Sequence, residues 1–469
     1  MIDLYSPLRS LREGHWFKLI CGASFQHLPA IRNLVLAYTL AGVDCIDIAA
    51  DPAVISIAKA ALHTAASLVH NDQQNSFNAT HLPWLMVSFN DGEDPHFRKA
   101  EFDAATCPSD CPRPCETVCP AQAIVFQPSR STANRDRSAL ETSPQSSAEP
   151  MDGWDGLPSG VLSDRCYGCG RCLPVCPIQH ISTRAYVSTP AAIAPLVLQT
   201  GVDAIEIHTQ VGRLGDFQRL WQAIAPWINK LKLVAISCPD GEGLIDYLRT
   251  LYDTIAPLPC PLIWQTDGRP MSGDLGIGAT RAAVKLSQKV LAAELPGYVQ
   301  LAGGTNHHTV PKLKSLGLLP LNAMLPRTSS LPVADWRSEN TLAMPPLPHT
   351  PYVAGVAYGS YARMLLTPIL NQLDAMTMAA IMPDPEPIAT GVDQFPSNHM
   401  AHIASMHRPG SPRSSPPPRL EDFPDLLQQA VDLARSLVSQ LKSTNDSMQT
   451  PLNRQPHDRP YRHRFHRPL

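Results

Sequence analysis

Short apolar runs that alternate with amphipathic stretches constrain this chain more than any other feature. FKLIC, from Phe17, is followed by LPAIRNLVLAYTLAG, in which Ile31, Leu34, Val35 and Tyr38 recur at i, i+3, i+4 and i+7. That spacing is one helix face. Gly42 ends the helix, CIDI follows as a strand, and DPAVISIAKAALHTAASL opens a second helix with Asp51 as N-cap and Pro52 in its first turn. WLMVSF is the third strand, and after a long interruption the alternation resumes from TPAAIAPLVLQTG onward. Eight strands emerge, near residues 17–21, 45–49, 84–89, 203–207, 231–236, 261–265, 298–302 and 352–356. The segment GVDCIDI at 42–48 returns as GVDAIEI at 201–207, an internal echo of a βα unit. Eight strands alternating with helices predict an α/β fold with a closed (β/α)8-like barrel, the alternative being an open doubly wound sheet.

The chain has 469 residues, enough for one large unit with additions. Residues 10–100 and 186–375 are the two parts of the predicted barrel, and 101–185 are an insertion after the third strand. Within the insertion, 127–159 are rich in Ser, Pro and charge and read as a disordered linker. Residues 381–469 are a Pro-rich, low-complexity, disordered C-terminal tail with one amphipathic helix at 420–443, which presents Leu426, Leu427, Val431, Leu433, Leu437 and Leu441. That helix either docks on a partner or folds back on the barrel. With 38 basic against 41 acidic residues, the chain as a whole offers no electrostatic reason to bind nucleic acid. The N-terminus lacks the apolar run of a signal peptide, and no window reads as a membrane span, so the expected location is cytoplasmic.

Eight of the twelve cysteines fall in two short runs. In a reducing compartment such clusters point to metal rather than to disulfides. The second run places Cys166, Cys169, Cys172 and Cys176 as C-x2-C-x2-C-x3-C with Pro177 after it, the bacterial ferredoxin spacing for a [4Fe–4S] cluster. The first run, Cys107, Cys111, Cys115 and Cys119 followed by Pro120, keeps the final x3-C-P but widens the earlier gaps. In the usual cross-ligation, one cluster takes Cys107, Cys111, Cys115 and Cys176, and the other takes Cys166, Cys169, Cys172 and Cys119. The insertion is thus expected to be a ferredoxin-like module with two [4Fe–4S] clusters; structural zinc is the alternative, although it favours separated C-x2-C pairs. Cys21, Cys45, Cys238 and Cys260 stand singly near strands and read as core thiols.

Chemistry in such a barrel belongs at the carboxyl ends of the strands. There the sequence offers Asn90, Asp91, His208, Cys238, Asp240, Gln265 and Asp267, then GGTNHH at 303–308 and the run around Gly359. Glycine exits after the last two strands are where barrels grip phosphate, so Gly303, Gly304 and Gly359 are candidates to cradle FMN or a substrate phosphate. GDLGIGAT at 273–280 lacks the lysine of a phosphate loop and reads as a turn and helix cap. No catalytic residue is assigned.

The runs CPSDCPRPCETVCPAQAI and CYGCGRCLPVCP, the strand GVDAIEIHTQ and the turn LAGGTN, in that order, resemble the cyanobacterial light-dependent period (LdpA) family over residues 10–375. The resemblance implies an iron–sulfur protein that conveys the cell's redox state, and so light input, to the circadian clock through protein partners, with the eight clustered cysteines as ligands. A redox-active quinone is a further candidate partner. The alternatives are an iron–sulfur flavin-type oxidoreductase with its active site at the barrel mouth, and an electron-transfer subunit of a larger complex.

Overall fold

The strand–helix alternation closes on itself. In a computed structural model that describes residues 7–71, 82–126, 159–185, 189–268, 278–320, 349–381 and 419–442, eight parallel strands form a closed barrel: β1 (Trp16–Ile20), β2 (Cys45–Ala49), β3 (Trp84–Asn90), β4 (Ala204–His208), β5 (Leu233–Pro239), β6 (Leu262–Asp267), β7 (Gly297–Ala302) and β8 (His349–Tyr358). Each strand lies beside its chain neighbour, and β8 returns to β1 with Trp16 opposite Gly355. The open-sheet alternative therefore does not hold. Every expected strand is present within a few residues, and the interruption between β3 and β4 is the expected insertion.

The echoed GVD segments do the same structural work twice. Asp44 accepts a hydrogen bond from the Phe17 N–H at 2.7 Å, and Asp203 accepts one from the Leu85 N–H at 3.0 Å. Each aspartate thus fixes the start of its own strand against the strand before it. A lysine closes each site, Lys442 on Asp44 at 2.7 Å and Lys232 on Asp203 at 2.6 Å.

The helices cover the outside of the barrel, as a parallel sheet requires. Leu28–Ala41 ends at Gly42, whose φ of 89° closes a left-handed C-cap. Pro52–Asn71 turns Val54, Ile55, Ala58, Ala61, Leu62 and Ala65 into the core, a spacing of one face. This helix corrects the reading that no window resembles a membrane span, because Pro52–His70 is long and apolar enough by length and composition. Its alanines and aliphatics are explained by its position between β2 and β3 and against the helix Leu28–Ala41.

The C-terminal helix spans Pro424–Lys442 and folds back on the barrel rather than standing free. Leu426, Leu427, Val431, Leu437 and Leu441 are buried against the helices Leu28–Ala41 and Ser360–Ile381, while Leu433 is half-buried. Arg32 grips Glu421 with both guanidinium nitrogens, at 2.7 and 2.5 Å, just ahead of this helix. The remainder of the expected tail, residues 382–418 and 443–469, lies outside the described residues, as do residues 127–158 of the expected linker and 273–277 of GDLGIGAT.

Candidate metal centre and barrel mouth

The insertion is built as two similar halves. Arg98–Glu101 pairs antiparallel with Ser182–Ala185, and Ile124–Val125 pairs with Gly160–Val161, so the outer strands meet each other and the inner strands meet each other. A short helix lies in each half, Pro114–Val118 and Cys172–Val175, and the two pack together. Cys115, Ile124, Cys172 and Ile181 form the small shared core.

Each Cys-Pro turn repeats the same geometry. Gln122 and Gln179 adopt left-handed backbone with φ of 49° and 52°, and their N–H groups bond the carbonyls of Cys119 and Cys176. The next N–H, of Ala123 or His180, then points at the thiol of that cysteine. Around the second run, Ala100 N–H donates to Cys166 Sγ at 3.4 Å. Such donors stabilise a thiolate, the form that a metal requires.

Thiols of the two runs lie near enough to influence one another's ionisation. Burial raises the Cys107 pKa, and neighbouring Cys111 and Cys176 raise it further. Burial likewise raises that of Cys115, with Cys176 and Cys107 adding to it. In the second run, burial pushes Cys172 up to about 12, reinforced by Cys169, Cys166 and Cys119, and Cys169 is raised by burial, then by Cys119 and Cys166. Cys119, Cys166, Cys169 and Cys172 line one largely apolar cleft of about 580 Å³, its open mouth included. Four converging sulfurs, backbone donors and apolar walls fit an iron–sulfur cluster, whose bound form would supply one-electron redox chemistry. Gly168 makes the loop possible: its φ is 71°, and an added Cβ would lie 2.1 Å from the Arg98 carbonyl oxygen. The four isolated cysteines Cys21, Cys45, Cys238 and Cys260 are all buried near strands, as core thiols should be.

Inside the barrel, a lower layer is apolar, with Trp16, Cys45, Met86, Ile263 and Tyr298, and a polar ring stands above it. Trp16 Nε1 donates to Gln300 Oε1 at 2.6 Å, Gln300 Nε2 to Gln265 Oε1 at 2.6 Å, and Gln265 Nε2 to Glu206. Lys18 reaches Glu206 and, at 3.4 Å, Asp47, which accepts from Ser88 Oγ at 2.8 Å. Burial opposes charge on Lys18, yet the two carboxylates hold it protonated. Burial pushes Asp47 upward, whereas Lys18 and His208 keep Glu206 low against the same penalty.

Above the ring, a cavity of about 710 Å³, mouth included, opens at the carboxyl ends of the strands. Of the expected residues it brings together His208, Gln265, Asp267, Gly303, Gly304 and Gly359, whereas Asn90, Asp91, Cys238 and Asp240 do not line it. Gly304 sits in left-handed backbone, and a Cβ there would lie 2.5 Å from the Ala279 carbonyl oxygen. The insertion supplies His96 and Tyr167, and Arg363 from the helix after β8 stacks on Tyr167 at 4.0 Å. Lys18, Asp47 and Glu206 escaped sequence reasoning. Their signal was a charge in mid-strand, in FKLIC, CIDI and AIEI, where an inward position of a barrel should be apolar.

Residues 107–187 match the family described as the LdpA Fe-S cluster-binding domain, and residues 196–440 match the Light dependent period A C-terminal domain. The second match extends beyond the expected limit at 375 and takes in nearly all of the docked C-terminal helix. Light dependent period A of Synechococcus elongatus is 45% identical to the chain over 367 residues, covering 78% of this chain and 85% of that protein. An iron–sulfur-binding domain inserted in a closed α/β barrel, together with likeness along most of both chains, makes this protein a member of the light-dependent period A family.

Proposed function

We propose that this chain is an iron–sulfur redox sensor of the circadian light-input pathway. It carries two [4Fe–4S] clusters, one on Cys107, Cys111, Cys115 and Cys176 and the other on Cys166, Cys169, Cys172 and Cys119. The observation that supports the reading is Cys119 of the first run lining one cleft with Cys166, Cys169 and Cys172 of the second, so that in this reading each half of the insertion depends on the other. A change of cluster charge or loss of a cluster then alters the whole insertion. Its surface against the barrel includes Lys99, which bonds both Gln26 and the Ser163 carbonyl, and Tyr167, which packs on Phe25. In this reading the altered insertion is read by protein partners in the cytoplasm, and a quinone is a natural oxidant.

Anaerobic purification followed by iron and acid-labile sulfide counts, with EPR of the reduced protein, tests the proposal. About eight irons per chain are expected from two cubes, with interacting reduced-cluster signals. About four irons would sink the two-cluster assignment, and clusters inert to air and quinone would sink the sensor.

A second reading is favoured by the cavity at the barrel mouth. Gly303, Gly304 and Gly359 stand where barrels bind phosphate, so the chain would be a flavin-type oxidoreductase fed by the clusters. A flavin absorbance spectrum on the same anaerobic sample separates the two readings.

A further inference from the structure

The segment that leaves β3 for the insertion brings a second set of metal-ligand side chains to the barrel, distinct from the cysteines. Asp94 and His96 sit at a 3-10 turn, Pro95–Phe97, and His208 is the last residue of β4. One donor atom from each lies within 4.8 Å of the others. Asp94 Oδ1 is 2.9 Å from His96 Nδ1 and 3.8 Å from His208 Nδ1. Two imidazoles and one carboxylate on one side of an ion, with the remaining positions open, is the ligand set of many zinc and non-haem iron sites.

The outward nitrogens carry the independent observation. His96 Nε2 is 3.2 Å from Asp267 Oδ2, and His208 Nε2 is 3.0 Å from Glu206 Oε1. A metal-bound histidine characteristically donates its other N–H to a carboxylate, which fixes the ring and strengthens it as a ligand. Both rings here have that partner, and in each the Nδ1 side faces Asp94. The rings are held in place as well: Phe97 packs edge-on against His208 at 5.3 Å, and Ser24 Oγ donates to the His96 carbonyl at 3.0 Å. Asp94 is braced by accepting from the His96 backbone N–H at 2.8 Å.

We propose that Asp94, His96 and His208 bind one divalent first-row transition-metal ion at the barrel mouth. His96 and His208 both line the large cavity, so the ion's open positions face the space where a small ligand would enter. Pro95, the neighbour of both Asp94 and His96, lines the cleft of Cys119, Cys166, Cys169 and Cys172. The ion would thus clasp the insertion to the barrel beside that cleft. This assignment does not depend on how many clusters the cysteines hold.

Cobalt(II) is the probe. Tag-free full-length protein, purified anaerobically with its iron retained, is incubated with Co2+, passed through gel filtration, and assayed for cobalt and iron per chain together with its visible spectrum. About one cobalt is expected per chain, with weak d–d bands and unchanged iron. His96→Gln and His208→Gln should each abolish retention, and Asp267→Asn should weaken binding about 10- to 100-fold. His208 also contacts the interior ring, so the His96 variant, at the half-buried turn, decides if circular dichroism of the other is altered. Absence of retained cobalt in the native chain overturns the proposal, as does equal retention by native and His96→Gln protein. Intense cobalt–thiolate charge-transfer bands with loss of iron would also overturn it, since the ion would then sit among the cysteines.

Discussion

Cys119 Sγ and Cys176 Sγ each accept a hydrogen bond from the backbone N–H four residues further along, at 3.3 Å in both cases. The two cysteines end their respective runs, and Cys119 lines a cleft with Cys166, Cys169 and Cys172 of the opposite run. The matched turns place the departing chain in the same way twice, which supports the proposed exchange of one cysteine between the halves.

That exchange makes the cysteine variants informative. Cys176→Ala should remove the cluster held by Cys107, Cys111 and Cys115 while leaving the other, and iron should fall by about half. Cys119→Ala should do the converse. The check is iron content with EPR of each variant; loss of the cluster in the variant's own run, with the opposite one intact, would defeat the crossed arrangement.

Lys18 is fully buried between Glu206 and Asp47. Lys18→Met keeps much of the volume but takes from Asp47 its ion-pair partner and leaves Glu206 with His208 as its remaining cation. Removing one partner of a buried charge set costs about 3–5 kcal/mol, so the midpoint of thermal unfolding should drop by several degrees or more. Adding Glu206→Gln to that variant should restore part of the loss. A single variant as stable as the native protein would mean that the ring is not held by charge.

The barrel was legible because its signals are local and repeated: helix faces, a glycine C-cap at Gly42, and strands bounded by turns. The cysteine spacing was legible for the same reason. What the pattern did not reveal is long-range. Lys18, Asp47 and Glu206 meet only because β1, β2 and β4 close round one axis, and a mid-strand charge alone does not say what it faces. His96 carried no motif, since its partners His208 and Asp267 come from two other strands. The C-terminal helix was visible by its apolar stripe, but its docking depends on the facing surface of Leu28–Ala41 and on Arg32, far away in sequence.

Gly168→Ala tests the cysteine loop. A methyl group there meets the Arg98 carbonyl oxygen, which is backbone and cannot swing aside, and the positive φ adds strain of about 1–3 kcal/mol. The expected result is faster loss of the cluster on Cys166, Cys169 and Cys172 during gel filtration, seen as bleaching of its visible absorbance. Gly212, with φ of 91° and open space around its Cβ position, is the control for strain alone. If both alanine variants bleach at the native rate, the close approach to Arg98 is not needed for cluster retention.

Glu421 makes docking of the C-terminal helix pH-dependent. Burial alone would raise its carboxyl pKa, but hydrogen bonds from Arg32 and its own backbone, with the Arg32 charge, hold it below the ordinary value. A group depressed in the folded state contributes stability that is fully present above its unfolded pKa, about 4.3, and is lost as pH falls through the folded value. The unfolded or undocked form binds the proton more readily, so acid favours release of the helix. Glu421→Gln should therefore weaken docking at neutral pH by about 1.5–3 kcal/mol, the usual worth of a hydrogen bond to a charged group. Hydrogen exchange of the amides in Pro424–Lys442 measures this directly. Native protein and variant should differ at pH 7 and converge as the pH falls through the depressed folded pKa, where the native carboxylate becomes protonated as well. Equal exchange at pH 7 would show that the apolar face of Leu427, Val431 and Leu437 holds the helix without the Arg32–Glu421 clasp.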